Sequence, residues 1–145
     1  MNREMLTRLL CGVSTRKYGR TATQDTDEEM GCVSKSEVSR RYKVELTRLM
    51  EELFSCRLDK VYPINMVDGM ERGGMTIITA LGLKDDSRKE ALGLIEGGTE
   101  NSEVVKSLFA DLIKRGLSTD EPRLFVLDGS KALAKAVRDT FGGSA

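Results

Sequence analysis

Two aspartates occupy matching positions in this chain of 145 residues. Asp68 stands in the segment MVDG and Asp128 in the segment VLDG, so each follows an apolar run and precedes a glycine. We expect each run to be a strand with its carboxylate at the strand end, where the glycine lets the backbone turn. Asp-Gly is also a common turn dipeptide, and for either position alone that interpretation stays open.

If the two strands are neighbours, the two carboxylates converge and repel each other unless a cation lies between them. Mg²⁺ is the expected ion, with Mn²⁺ as a possible substitute, because hard cations take oxygen ligands. Pairs of such ions, roughly 4 Å apart, promote phosphoryl transfer in many nucleases and polymerases. Asp68 and Asp128 are therefore the predicted catalytic and metal-binding residues.

Other catalytic chemistries are excluded by composition. The chain has no histidine, so the triads and dyads that use a histidine base are impossible. Cys11, Cys32 and Cys56 are far apart in sequence, which argues against a zinc site within the chain. No apolar run approaches the ~20 residues that span a bilayer, so no membrane partner is expected and a cytoplasmic location is predicted.

The elements that must position the aspartates follow from hydrophobic periodicity and end signals. A first strand is expected to end at Asp68-Gly69, with Gly73-Gly74 forming the next turn. Strands are predicted for residues 61–67, 75–83, 89–95 and 122–127, and helices for residues 2–10, 14–20, 34–56, 101–116 and from Ser130 onward. Three strands followed by helix, strand and helix begin an RNase H-like fold, in which the first and fourth strands are neighbours. The last strand, of nearly continuous apolar residues, is expected inside the sheet.

Charge divides the chain unevenly. Residues 1–58 hold 11 Lys+Arg against 9 Asp+Glu, and residues 59–145 hold 12 against 14. We predict two domains with this boundary: a small all-helical, helix-turn-helix-like DNA-binding segment, then the N-terminal part of an incomplete RNase H-like mixed sheet. The expected fold class is α/β. Two ordinary soluble halves would give the same weak asymmetry.

The predicted DNA contacts lie in the basic N-terminal part. Residues 34–43 carry four cations against Glu37 alone, and serine hydroxyls among them can reach phosphates. The proposed contacts are Arg16, Lys17, Lys35, Ser36, Arg40 and Arg41. The alternative is a charged face on a connecting helix, since the connection from the preceding helix is too long for a strict helix-turn-helix.

Several segments resemble the mutator-type transposases of bacterial insertion sequences. The most specific are EGGTENSEVVKSL and VLDGSKALAKAV, with CGVSTRKYGR and SKSEVSRRY in the N-terminal part. The resemblance implies an Asp-Asp-Glu metal site in which Asp68 and Asp128 match the first two acids. It further implies that the Glu lies downstream of residue 145, so the chain is expected to be a truncated form.

The same resemblance implies DNA transposition by metal-dependent cleavage at terminal inverted repeats and strand transfer to target DNA. It implies a homo-oligomer in the bacterial cytoplasm, associated with the nucleoid and without a small-molecule substrate. The fragment alone is expected to be inactive, and the alternative function is a DNA-binding form that regulates or inhibits the full-length transposase. A third hypothesis, a phosphodiesterase using local acids such as Glu96 or Glu100, is weaker, because both residues suit helix capping or dipole compensation.

Overall fold

The computed structural model describes residues 34–98 and 101–142, so the predicted helices 2–10 and 14–20 lie outside the described residues. Its elements are α1 (Lys35–Ser55), β1 (Ile64–Arg72), β2 (Met75–Leu83), β3 (Lys89–Gly97), α2 (Ser102–Lys114), β4 (Leu124–Leu127) and α3 (Lys131–Phe141). The chain divides into two compact units, Met1–Glu52 and Leu53–Ala145. The α/β class is confirmed, and so are the predicted helices within the described residues.

Helix starts were the most predictable local feature. The Asn101 side chain caps α2 by accepting hydrogen bonds from the backbone N–H groups of Glu103 and Val104 at 3.1 and 2.9 Å. The Ser130 hydroxyl caps α3 by accepting from the Leu133 N–H at 3.4 Å. Such side chains satisfy donors that have no partner inside the first helical turn, which is why these positions mark helix starts in the sequence.

The four strands form one mixed sheet in the order β3-β2-β1-β4. Strand β1 pairs antiparallel with β2 and parallel with β4, so the prediction that the first and fourth strands are neighbours is confirmed. Strands β1 and β2 are joined by Gly73 and Gly74, whose φ angles are +62° and +77°. Two successive positive φ angles suit a tight two-residue hairpin, and glycine adopts them without strain.

The predicted end of β1 at Asp68-Gly69 is wrong. Asp68 pairs with Thr79 and Gly69 pairs with Ile78, so both lie inside a strand that continues to Arg72. The sequence offers two turn signals five residues apart, and only one can close the hairpin. The Gly73-Gly74 pair closes it because the residues on both sides of this pair remain in register with β2.

One face of the sheet carries the core of the second unit. Val67, Ile78 and Ala80 project from it and are almost fully buried against side chains of α2 and α3. The rings of Phe109, Phe125 and Phe141 meet there, with centroid distances of 4.9 to 6.0 Å in tilted or edge-to-face arrangements. Such arrangements are favourable for aromatic rings. We call this side of the sheet the helix-covered face.

The opposite face, the open face, is also apolar in the described part of the chain. Strand alternation places on it side chains that remain half-buried or exposed: Ile64, Met66, Met70, Met75, Ile77, Leu81, Leu83, Leu94, Leu124 and Val126. The expectation that β4 lies inside the sheet is wrong among these residues. It forms the edge beyond β1, and Leu124 keeps 59% of its surface exposed.

Arg115 fastens several elements of the second unit together. Its guanidinium donates to the backbone oxygens of Leu53 at 2.9 Å, Cys56 at 3.3 Å and Leu92 at 2.5 Å, and to the Asp111 carboxylate at 2.8 Å. The side chain is 8% exposed, so these bonds compensate for burying the charge.

Among the helices that the structure describes, none is both long and apolar enough to cross a membrane.

Candidate functional site

The register of two neighbouring strands brings Asp68 and Asp128 side by side. Val67 of β1 pairs with Leu127 of β4 in the parallel ladder. Asp68 directly follows Val67 along the chain, and Asp128 directly follows Leu127. Neighbouring strands lie about 4.8 Å apart, so the backbones of the two aspartates are separated by little more than one strand spacing. The pairing of β1 with β4 thus puts the two aspartates at corresponding positions along neighbouring stretches of backbone.

Asp68 projects from the open face. Its neighbour Val67 is 2% exposed on the helix-covered face, and alternation along a strand turns the next side chain to the other side. The residue is exposed, and the hydroxyl of its cross-strand partner Thr79 donates to its backbone oxygen at 3.4 Å. Sequence reasoning did not identify Thr79, because its proximity depends on the hairpin register and on no local motif.

Asp128 follows β4 immediately and is held by a local turn. One carboxylate oxygen accepts a hydrogen bond from the Ser130 backbone N–H at 3.0 Å. The intervening Gly129 has a φ of +91°, a conformation that residues with a Cβ rarely adopt. This turn orients one oxygen and leaves the exposed carboxylate with further acceptor capacity.

Neither aspartate forms an ion pair within residues 34–98 and 101–142. Exposed carboxylates without an ion-pair partner suit a hard cation that retains several waters. Within the same ranges there is no group of three or more His, Cys, Asp or Glu residues placed to hold a metal. The arrangement can therefore supply two oxygen ligands from this part of the chain.

Glu96 does not join the pair. The sequence predicted a third strand that ends at residue 95, before Glu96, but Glu96 lies within β3. It pairs with Ile77 of β2. Ile77 in turn faces Met70 of β1, so Glu96 is two strands away from Asp68 and out of line with it. Glu100, the other acid of the phosphodiesterase hypothesis, lies outside the described residues.

Most of the predicted DNA-binding residues share the first half of α1. Lys35, Ser36 and Arg40 line a pocket of about 440 Å³ together with Ser39 and Lys43. The described lining contains three cations, two hydroxyl groups and no acid, a composition that suits phosphate oxygens. Arg16 and Lys17 lie outside the described residues, so their contacts with DNA remain predictions.

Glu37 pairs with two arginines in the first half of α1, Arg40 and Arg41. Its carboxylate accepts from Arg40 at 2.8 and 3.0 Å and from Arg41 at 2.6 Å. These hydrogen bonds, first that of Arg40 and then that of Arg41, lower the pKa of Glu37 from 4.5 to about 2. Sequence reasoning counted Glu37 only as an opposing charge, although spacings of three and four residues on a helix indicate such pairing.

Comparison with known proteins gives one positive result. The sequence model of the family described as "Transposase, Mutator family" matches residues 1–145, the whole length of the sequence. No curated protein matches the chain significantly.

Proposed function

Because the chain belongs to the Mutator family of transposases, we propose that Asp68 and Asp128 are metal ligands for phosphoryl transfer on DNA. The observation that carries this proposal is the parallel register of Val67 with Leu127, which sets the two aspartates side by side. Membership of the family implies action on DNA in general. The residues and the metal are the proposed part, and an RNase H-like sheet is the proposed framework.

The two carboxylates are suitable ligands for Mg²⁺ or Mn²⁺, because they are exposed, follow a paired position of β1 and β4, and have no ion-pair partner in the described part of the chain. Held by Asp68 and Asp128, such ions would help to activate an attacking water or 3′-hydroxyl and to stabilise the leaving oxygen. The Ser130 N–H orients one oxygen of Asp128, while Asp68 is fixed by the central pairing of β1. Rigid strands and a local turn thus position both ligands.

We propose that the first half of α1 contacts DNA. Lys35 and Ser36 line the basic pocket with Arg40, and Arg41 lies next to it on the same helix. Contacts of lysine and serine side chains with phosphates set the register of a protein on a duplex, and those of the lysines are sensitive to salt. A helix-turn-helix-like arrangement of the N-terminal segment and a homo-oligomeric state belong to the same proposal, with the terminal inverted repeats and target DNA as substrates.

Binding of Mn²⁺ tests the metal site independently of activity. We expect added Mn²⁺ to broaden the amide NMR signals of Asp68, Gly69, Asp128 and Gly129 before those of other residues. The variants Asp68→Asn and Asp128→Asn should each abolish the selective broadening, since each removes one of two anionic ligands. Asp85→Asn, at an exposed turn, is the matched control and should leave it unchanged. Broadening that persists in both site variants would overturn the proposed ligands.

One observation favours the alternative function, a DNA-binding form that regulates the transposase. No third acid joins Asp68 and Asp128 within the described ranges. A nicking assay with supercoiled plasmid and Mg²⁺ distinguishes the two functions. Metal-dependent nicking that disappears in Asp68→Asn supports catalysis by this chain, whereas binding without nicking supports the regulatory form.

A further inference from the structure

The first half of α1 contains one acid among several cations. Between Ser34 and Val44 the chain has Lys35, Arg40, Arg41 and Lys43, and Glu37 is the sole carboxylate. Glu37 lies three residues before Arg40 and four before Arg41, so it reaches both on the helix surface. Its position determines which of the four cations are available to a ligand.

The Glu37 carboxylate pairs with arginine side chains although the residue has the position of a capping-box acid. Ser34 and Glu37 have the spacing of a capping box, and the Ser34 hydroxyl accepts from the Glu37 backbone N–H at 3.2 Å. The carboxylate itself bonds to the arginine side chains, with Arg40 donating through two nitrogens to its two oxygens. A bidentate pair of this kind fixes the direction of the guanidinium as well as its charge.

The two lysines are held differently. Lys35 and Lys43 line the pocket, separated by two helical turns with Ser39 between them, and the described lining includes no carboxylate. Both residues are exposed and can contact phosphates without breaking an ion pair to any residue that the structure describes. Among the described residues, the same half-helix therefore presents two lysines without a carboxylate partner and two arginines that are paired with Glu37.

We propose that Glu37 is a specificity-determining residue, which keeps Arg40 and Arg41 from the phosphates of unspecific DNA. This inference rests on the proposed DNA-binding function of α1. On any duplex, an arginine that leaves Glu37 for a phosphate exchanges one anion for another and leaves the carboxylate close to the DNA charge. A DNA site that offers guanine N7 and O6 gives the arginine a larger gain in binding free energy, because the bidentate base contact forms only with that base. Specificity then arises by penalising the wrong ligand.

The test measures binding of a random-sequence duplex by fluorescence anisotropy over a range of salt concentrations. The variant is Glu37→Gln, which keeps the side-chain length and the capping spacing. We expect about three- to tenfold tighter binding at low salt, and a log–log salt slope steeper by about 0.9 for each arginine that joins the phosphates. Equal or weaker binding with an unchanged slope would overturn the proposal.

Glu45→Gln is the matched control. Glu45 lies two turns further along α1 and pairs with Arg48 at 2.6 Å, outside the pocket lining. It removes the same charge from the same helix, so a general charge effect would appear equally in both variants. A larger effect for Glu37→Gln supports a local role, and equal effects contradict it. Circular dichroism of both variants checks that the helix is retained.

The double variant Lys35→Ala, Lys43→Ala separates this inference from the function on which it rests. If α1 contacts DNA, this variant should lose about tenfold in affinity, with a shallower salt slope. Unchanged binding would refute the DNA-binding role of α1 and the role of Glu37 with it. Loss of binding in the lysine variant, together with no gain in Glu37→Gln, would refute the role of Glu37 alone.

Discussion

Glu90 and the two aspartates lie in or beside the same sheet and have opposite surroundings. Glu90, near the start of β3, accepts hydrogen bonds from the Tyr62 hydroxyl at 2.8 Å and from the Lys60 ammonium at 3.3 Å, and it also pairs with Lys84. Asp68 and Asp128 have no ion pair with any residue that the structure describes. Glu90 is therefore neutralised by its own protein, whereas the aspartates are suitable for an external cation.

The pKa values reflect the contrast on the Glu90 side. The Lys84 and Tyr62 hydrogen bonds, in that order, lower the pKa of Glu90 from 4.5 to about 2. Burial, and then the hydrogen bond to Glu90, raise the pKa of the Tyr62 hydroxyl above its usual value. Three donors within the protein hold Glu90, whereas the carboxylates of Asp68 and Asp128 are exposed and keep acceptor capacity for a ligand.

The largest effect on stability is expected at Gly82, which packs against Tyr62, one of the hydrogen-bond partners of Glu90. A Cβ at Gly82 would lie 2.5 Å from Tyr62 Cδ1 and 2.9 Å from its Cγ, so Gly82→Ala must displace the ring and its bond to Glu90. We expect a loss of about 2–3 kcal/mol in the free energy of unfolding, measured by urea denaturation. Gly98→Ala, where a Cβ meets nothing within 4 Å, is the control. Equal stability of the two variants would show that Tyr62 is not held by this contact.

A smaller loss is expected from Glu90→Gln. The carboxylate is about one-third exposed, at 34%, so we expect about 1 kcal/mol after allowing for solvent screening. Since the folded pKa is lowered to about 2, its contribution is complete above pH 4.5 and is lost as the pH falls towards 2. The stability difference between wild type and variant should therefore shrink over this range. Glu96→Gln, on the same strand, is the control, and a pH-independent difference would contradict the ionic role of Glu90.

The smallest effect on stability is expected at the proposed metal site. Asp68→Asn and Asp128→Asn should each change the free energy of unfolding by less than about 0.5 kcal/mol without metal, because no ion pair is lost. Added Mg²⁺ should raise the melting temperature of the wild type and leave both variants unchanged. If either variant destabilised the protein more than Glu90→Gln does, the contrast between the two groups of acids would fail.

Much of the local structure was predictable because local interactions determine it. Asn101 and Ser130 cap their helices within three residues, and the Gly73-Gly74 turn is encoded in the two glycines. The apolar stripe of α2 also identified the side that packs into the core. The exposure of the methionines was less predictable: Met70 and Met75 are 50% and 46% exposed. Period-two alternation does not tell which face of a strand the helices cover.

The sequence by itself determined the types of residue available, the order of the elements and the helix caps, since these depend on neighbours within a few positions. It also indicated that Asp68 and Asp128 belong together, through their matching contexts. Only the tertiary structure decided that Asp68 lies inside β1 on the open face and that Val67 is in register with Leu127. It also decided that Glu90 meets Tyr62, 28 residues away. Strand register and sheet order set these distances, and both result from packing over the whole unit.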